Sequence, residues 1–167
     1  MAQKEMAQKV EERKSLAVVR VRGTVRAQRE ARETLQFLHL EHTNHAVIID
    51  NRPAYKGMLQ RVQSYVTWGE VDKETVAMML QKRARLAGDK KLTEEYLQAI
   101  GYKSFDELAD AIVSGKAEHG KLPEMQPQFR MHPPTKGFKG KIKMSFRSGG
   151  EAGNRGEAIN KLVQRMI

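Results

Sequence analysis

Leu16-Ala17-Val18-Val19-Arg20-Val21-Arg22-Gly23 is β-branched and closes in Arg/Val alternation, so it reads as a strand. Downstream, from Arg26 to about Glu41, Ala27, Ala31, Leu35, Leu38 and His42 recur at helical spacing. An amphipathic helix is expected there, with Arg26, Arg29 and Arg32 on its other face. His45-Ala46-Val47-Ile48-Ile49-Asp50 predicts a second strand, apolar enough to be buried on both faces or nearly so. Pro53 then suits the first turn of a helix carrying Tyr55, Met58, Leu59, Val62, Tyr65 and Val66 on one face. Val66-Thr67-Trp68-Gly69-Glu70-Val71 is a third strand. Residues 16–71 therefore spell β-α-β-α-β, a pattern that buries one sheet face under two helices and defines an α+β class.

Further along, punctuation replaces long patterns. Asp72 can cap a helix to about Ala87, closed by Gly88. Thr93 can cap a short helix ending at Gly101. Ser104-Phe105-Asp106-Glu107 fits a capping box for a third, stopping near Gly115. Beyond Leu122, Pro123, Pro127, Pro133, Pro134, Gly137 and Gly140 forbid long regular structure. A last helix from about Arg155 carries Ile159, Leu162, Val163 and Met166 on one side. The expected divisions are a charged N-terminal segment (1–15), the β-α-β-α-β core (16–71), a helical extension (72–115) and an extended basic arm ending in a short helix (116–167).

The chain has 167 residues, 40% apolar and 6% aromatic, enough for one modest core. Thirty Lys and Arg oppose twenty Asp and Glu, a net charge of +10 that favours a polyanionic partner. The excess is uneven. Residues 1–71 carry +4 and 72–88 carry +2, whereas 89–118 carry −3 and 129–167 carry +7. A polyanion is expected at the two ends, with the acidic segment turned to solvent or another protein. No apolar run approaches the roughly 20 residues needed to span a bilayer. Met1 to Ser15 lacks the apolar core of a signal peptide. The absence of cysteine excludes disulfides and thiolate metal sites and fits a reducing, cytoplasmic setting.

The richest constellation is Phe129-Arg130-Met131-His132-Pro133-Pro134-Thr135-Lys136-Gly137-Phe138-Lys139-Gly140-Lys141-Ile142-Lys143. Cations there hold phosphates, Phe and His offer planes for exposed bases, and Gly lets backbone approach. Arg147-Ser148-Gly149-Gly150-Glu151-Ala152-Gly153-Asn154-Arg155-Gly156 lacks both G-x-G-x-x-G and Gly-Lys-Ser/Thr, so a flexible loop touching RNA phosphate is expected over a nucleotide site. His39, His42 and His45 form H-x-x-H-x-x-H, but helical geometry spreads the outer two over different faces. Glu94-Glu95 and Asp106-Glu107 sit where first helical turns want acids. No serine lies in a G-x-S-x-G elbow. No enzyme, metal or cofactor is expected. Candidate RNA contacts are Arg20, Arg22, Arg26, Arg29, Arg52, Lys56, Arg61, Lys82, Arg83, Arg85, Arg130, His132, Lys136, Phe138, Lys139, Lys141, Lys143, Arg147 and Arg155. Trp68 reads as sheet packing.

Asn44-His45-Ala46-Val47-Ile48-Ile49-Asp50-Asn51-Arg52-Pro53-Ala54-Tyr55-Lys56-Gly57-Met58-Leu59, with Tyr65-Val66-Thr67-Trp68-Gly69-Glu70, closely resembles the ribosomal protein L-thirty family, in its archaeal branch. The likeness continues through Lys82-Arg83, Gly88-Asp89-Lys90-Lys91-Leu92-Thr93, Phe129-Arg130-Met131-His132-Pro133-Pro134, Lys136-Gly137-Phe138 and Arg155-Gly156-Glu157. It covers nearly everything from Leu16 to Ile167. The resemblance implies a ferredoxin-like β-α-β-α-β core bound to large-subunit ribosomal RNA, an archaeal-eukaryotic extension beyond about residue 72, and no catalytic activity. On that reading 5S rRNA and neighbouring large-subunit proteins are candidate partners. The rivals are a non-ribosomal RNA-binding regulator or chaperone, and a nucleotide-using protein around Gly149 to Gly156.

Overall fold

In the computed structural model, which describes residues 15–167, the fold is α+β. Six strands form one sheet in the order β4-β2-β1-β3-β6-β5. These are β1 (Ser15–Arg20), β2 (His45–Asp50), β3 (Val66–Glu70), β4 (Gln128–Arg130), β5 (Lys141–Ser145) and β6 (Gly150–Asn154). The helices are α1 (Arg29–Phe37), α2 (Pro53–Val62), α3 (Lys73–Arg83), α4 (Glu94–Ala99), α5 (Phe105–Val113) and α6 (Ala158–Met166). The expectations for the first 14 residues lie outside the described ones. Among the described residues no helix is long and apolar enough to cross a membrane.

β1 runs antiparallel to β2 on one side and to β3 on the other. All six of its residues are buried, because its two faces meet different cores. Leu16 and Val18 join Val47, Val66, Leu35, Leu59 and Val62 beneath α1 and α2. Ala17 and Val19 join Ala46, Ile48, Met79, Leu80, Ile112, Phe129 and Ile159 on the opposite face. Two helices cover one face as expected, and residues 72–167 supply the cover for the other. Strand β4 pairs antiparallel with β2, and β6 pairs parallel with β3, so segments from beyond residue 127 extend the sheet at both edges.

Local chemistry moves several boundaries inward. Arg26 adopts φ 60 in a turn, so α1 begins at Arg29 rather than Arg26. Its far end stops at Phe37. His39 turns left-handed at φ 57, its amide returns to the Gln36 carbonyl, and the Leu40 amide returns to Leu35. That is a Schellman termination without glycine. Helix α3 ends at Arg83, four residues earlier than expected. Ala84 is extended, and Arg85 and Leu86 bridge to Lys91 and Met125, so tertiary pairing overrides helix propensity. The capping box at α5 is present: the Glu107 amide donates to Ser104 Oγ at 3.3 Å, and the Lys103 amide to Glu107 Oε2 at 2.7 Å.

The glycine-rich stretch expected as a loop is largely strand β6. Left-handed backbone at Gly149, Gly153 and Gly156, and close approach at Gly150, explain its composition. A Cβ at Gly69 would strike the Gly156 carbonyl, and one at Gly150 would strike the Met144 backbone. Gly69→Ala should therefore lower the melting temperature by several degrees, an effect of about 1–3 kcal/mol from overpacking. Gly57, inside α2 with open space around its Cβ position, makes the contrast. Gly57→Ala should stabilise by about 0.4–1 kcal/mol. Thermal denaturation of both variants against the parent distinguishes backbone contact from helix entropy.

His119 is 1% exposed and stacks on Phe129 with centroids 4.4 Å apart, inside the core facing α3. Burial lowers its pKa to about 4, and the Pro127 backbone opposes the shift without cancelling it. The folded pKa lies below the unfolded value near 6.5, so the unfolded chain takes the proton first. Stability is intact above pH 6.5 and declines as pH falls towards 4. His119→Leu should flatten that decline, read as the shift in urea midpoint between pH 7 and pH 4.5; an unchanged shift would refute the assignment.

Candidate nucleic-acid interface

Strand β5 is the outer edge of the sheet, paired only on its β6 side. Lys141, Lys143 and Met144 are exposed and Ile142 is half-buried, along a strand whose pairing with β6 is irregular between Lys141 and Ser145. Lys136, Lys139 and Arg147 flank the strand, and all five basic side chains are exposed. None has an ion-pair partner among the described residues. Lysines on an edge strand discourage pairing with another sheet, and they also present positive charge along an accessible line. The preceding turn is held from below. Arg165 Nη2 donates to the Thr135 carbonyl at 2.7 Å and also to that of Gly137, leaving Lys136 at φ 64 pointing from a fixed backbone. Arg165 was not among the expected contacts. Its role depends on two segments thirty residues apart, and no local pattern signals it.

Other expected contacts also lie at the surface. Arg26, Lys56, Arg61, Lys82 and His132 are exposed. Arg29 is exposed and pairs with Glu33 at 2.6 Å, and Arg130 with Asp89 at 3.0 Å. Such surface pairs hold their partners weakly and leave the cations accessible.

Four arginines and one phenylalanine are placed differently. Arg20, a candidate RNA contact, is turned inward. It is 4% exposed, and its guanidinium donates to the carbonyls of Leu40, at 2.9 Å, and Glu41, closing the end of α1. Burial lowers its pKa from the usual arginine value. Arg52 is half-buried between Asp50, at 2.8 Å, and Glu118, which also receives Lys121 at 2.8 Å. Burial raises the Asp50 carboxyl, and nearby Glu118 raises it further. Arg83 donates to the backbone oxygen of Ile167. Phe138 packs against the core beneath α3 rather than standing free for a base. Arg22 lies over Tyr65, 5.4 Å from the ring centre, and Arg85 is half-buried.

Arg155 has the tightest surroundings. Its side chain and that of Glu151 are 6% and 8% exposed and form an ion pair. Arg155 Nε also donates to Thr67 Oγ1 at 2.8 Å, and Phe146 faces the guanidinium at 4.9 Å. Burial pushes the Glu151 carboxyl up, but Arg155 and the Gly140 amide at 2.8 Å hold it below its usual value. The glycine-rich segment is thus fastened by charge from inside.

The three histidines do not converge. His42 and His45 meet edge to face at 5.1 Å, while His39 occupies the helix-terminating turn. Burial, then His42, lowers the His45 pKa. No group of three metal-binding side chains forms among the described residues.

Fold and surface together define an α+β protein with an accessible basic edge, the kind of surface that polyanions meet. Comparison with known sequences narrows this class. The profile of the ribosomal protein L30p/L7e family matches residues 16–66. The chain is 46% identical to large ribosomal subunit protein uL30 of Thermofilum pendens over 151 residues, 90% of this chain and 97% of the relative. It is 47% identical to the Archaeoglobus fulgidus protein of the same name, covering 90% and 98%. It is 46% identical to that of Methanoculleus marisnigri, with the same coverage. The chain belongs to the uL30 family.

Removing the cation from the buried pair should be costly. Arg155→Met leaves Glu151 buried without its partner and should destabilise by about 3–5 kcal/mol. Arg29→Met, at the exposed pair, should change stability by less than about 1 kcal/mol. Urea unfolding of both checks the contrast.

Proposed function

We propose that this chain is a structural constituent of the large ribosomal subunit that binds and stabilises ribosomal RNA. Supporting this reading is the exposed basic line from Lys136 through Lys139, Lys141, Lys143 and Arg147, on a chain whose relatives bear the name of large-subunit proteins. The mechanism is architectural. A rigid sheet carries cations at fixed spacing, and each phosphate they neutralise releases condensed counterions. Arg26, Arg29, Lys56, Arg61, Lys82, Arg130 and His132 extend the contact, whereas Arg20, Arg52, Arg83 and Arg155 act by holding the scaffold. The function is non-catalytic and cytoplasmic. Neighbouring ribosomal proteins meet the acidic 89–118 segment, and 5S rRNA is the finer candidate among RNA partners.

The test is substitution, because Phe129 and Met131 are core residues and deleting 129–147 would unfold the sheet. The combined variant Lys139→Ala, Lys141→Ala, Lys143→Ala, Arg147→Ala should keep its melting temperature. It should bind large-subunit RNA with a salt slope smaller by about 0.7–0.9 per contact removed. On a sucrose gradient after a high-salt wash, the tagged parent should travel with the large subunit and the variant should be depleted from it. A parent protein that remains at the top of the gradient would overturn the ribosomal reading and favour a free RNA-binding regulator.

A further inference from the structure

Between α2 and the seam joining β3 to β6 lies a cavity of about 370 Å³. That falls within the roughly 300–1,000 Å³ of small-ligand pockets. Strand pairing explains why it is open. Trp68 stands opposite Val18 on one side and Asn154 on the other. Helix α2 covers the Val18 side, and β6 presents the short side chain of Asn154 on the other. Trp68 is consequently half-buried, packed on the α1–α2 core yet lining the cavity.

The walls combine one carboxamide whose oxygen is buried with exposed polar side chains. Asn51, Gln60 and Asn154 bring three carboxamides around one indole, and Lys56 stands at the rim. Asn51 Oδ1 is buried with no hydrogen-bond partner among the described residues. Asn154 Oδ1 accepts from the Gly156 amide at 2.9 Å, which leaves its amide nitrogen available. Lys56 is exposed and has no ion-pair partner among the described residues. Glu70, at the end of the cavity, is engaged in an interaction of its own.

Each class of occupant can be weighed by what it would satisfy. A lone phosphate would find one cation and an apolar floor. An aliphatic side chain would leave the buried Asn51 Oδ1 without a partner, and an unmet buried polar group is costly. A planar heterocycle with donors and acceptors on its edge satisfies both the indole and the carboxamides. We infer that this cavity receives one unstacked nucleobase of the bound RNA, its face on Trp68, its edge on Asn51, Gln60 and Asn154, and its phosphate at Lys56. This inference rests on the RNA-binding reading above and adds a base-reading site one strand inward from the phosphate-binding edge of β5.

Trp68 is the sole tryptophan of the chain, so its emission reports on this cavity alone. The full chain is titrated with a transcript of archaeal large-subunit ribosomal RNA, and separately with inorganic polyphosphate, which has charge but no bases. Anisotropy of labelled probe gives binding, and Trp68 emission gives stacking. The RNA should bind and quench Trp68, and polyphosphate should bind without quenching. Gln60→Ala should weaken RNA affinity by about tenfold, within the range of a lost base contact, and leave polyphosphate affinity and melting temperature unchanged. Asn154→Ala should weaken RNA affinity alike but also lower the melting temperature, because it removes the acceptor of the Gly156 amide. RNA binding with unaltered emission, or equal quenching by polyphosphate, overturns the base site and leaves the RNA-binding reading standing. Failure of the RNA to bind at low salt removes both.

Discussion

Burial of β1 on both faces is the constraint from which the architecture follows. A strand with Leu16 and Val18 on one side and Ala17 and Val19 on the other cannot be satisfied by one layer of helices. Helices α1 and α2 cover the first side, and they come from the same 55 or so residues that make β1, β2 and β3. The second side needs α3, α5 and α6 with Phe129, which arrive from later in the chain. At roughly 25 cal/mol per Å² of apolar surface, leaving that face in water would forfeit much of the stability of so small a domain. The segment beyond residue 72 is therefore structurally obligatory for the sheet it covers.

This explains which features were legible in the sequence. The β-α-β-α-β order, both covering helices of the first layer, Pro53 at the start of α2 and the Ser104 capping box all rest on local pattern and local chemistry, and each is present. The continuous apolar character of 46–49 even signalled burial on two faces. What escaped reading depends on distant pairing. Strand β6 looks like a glycine-rich loop, because Gly150 answers to the Met144 backbone of β5 and Gly153 to a left-handed φ of 87, neither of which the local pattern announces. The early stop of α3 comes from bridges to residues 91 and 125. The cavity beside Trp68 was likewise invisible, since it takes shape only when β6 lies against β3.

The basic residues divide by chemistry more than by position. Among the expected contacts, those drawn into the scaffold, Arg20, Arg52, Arg83 and Arg155, are all arginines. The lysines among them, Lys56, Lys82, Lys136, Lys139, Lys141 and Lys143, all remain exposed and without ion-pair partners among the described residues. Arginine has five donors in a rigid plane, can serve several carbonyls or a carboxylate at once, and gives up hydration more readily than an ammonium. Lysine carries a compact, strongly hydrated charge that favours water. Charge counted along the chain therefore overstates the charge available near β1 and the Gly149–Gly156 segment and describes the lysine-rich β5 edge well.

The same division bears on how the surface could work. Arg155 joins β6 to Glu151, Thr67 and Phe146, while Arg165 fixes the turn that precedes β5. Arg155 inside the scaffold and Arg165 at its surface thus pre-position the lysines, so those backbone positions are set before any partner arrives. Ordering a basic arm on binding consumes roughly 1–2 kcal/mol for each residue fixed. A strand already built into a sheet avoids most of that expense. One internal ion pair, Arg155–Glu151, and the Arg165 bonds to backbone carbonyls convert a weak, adaptable basic tail into an edge of definite shape.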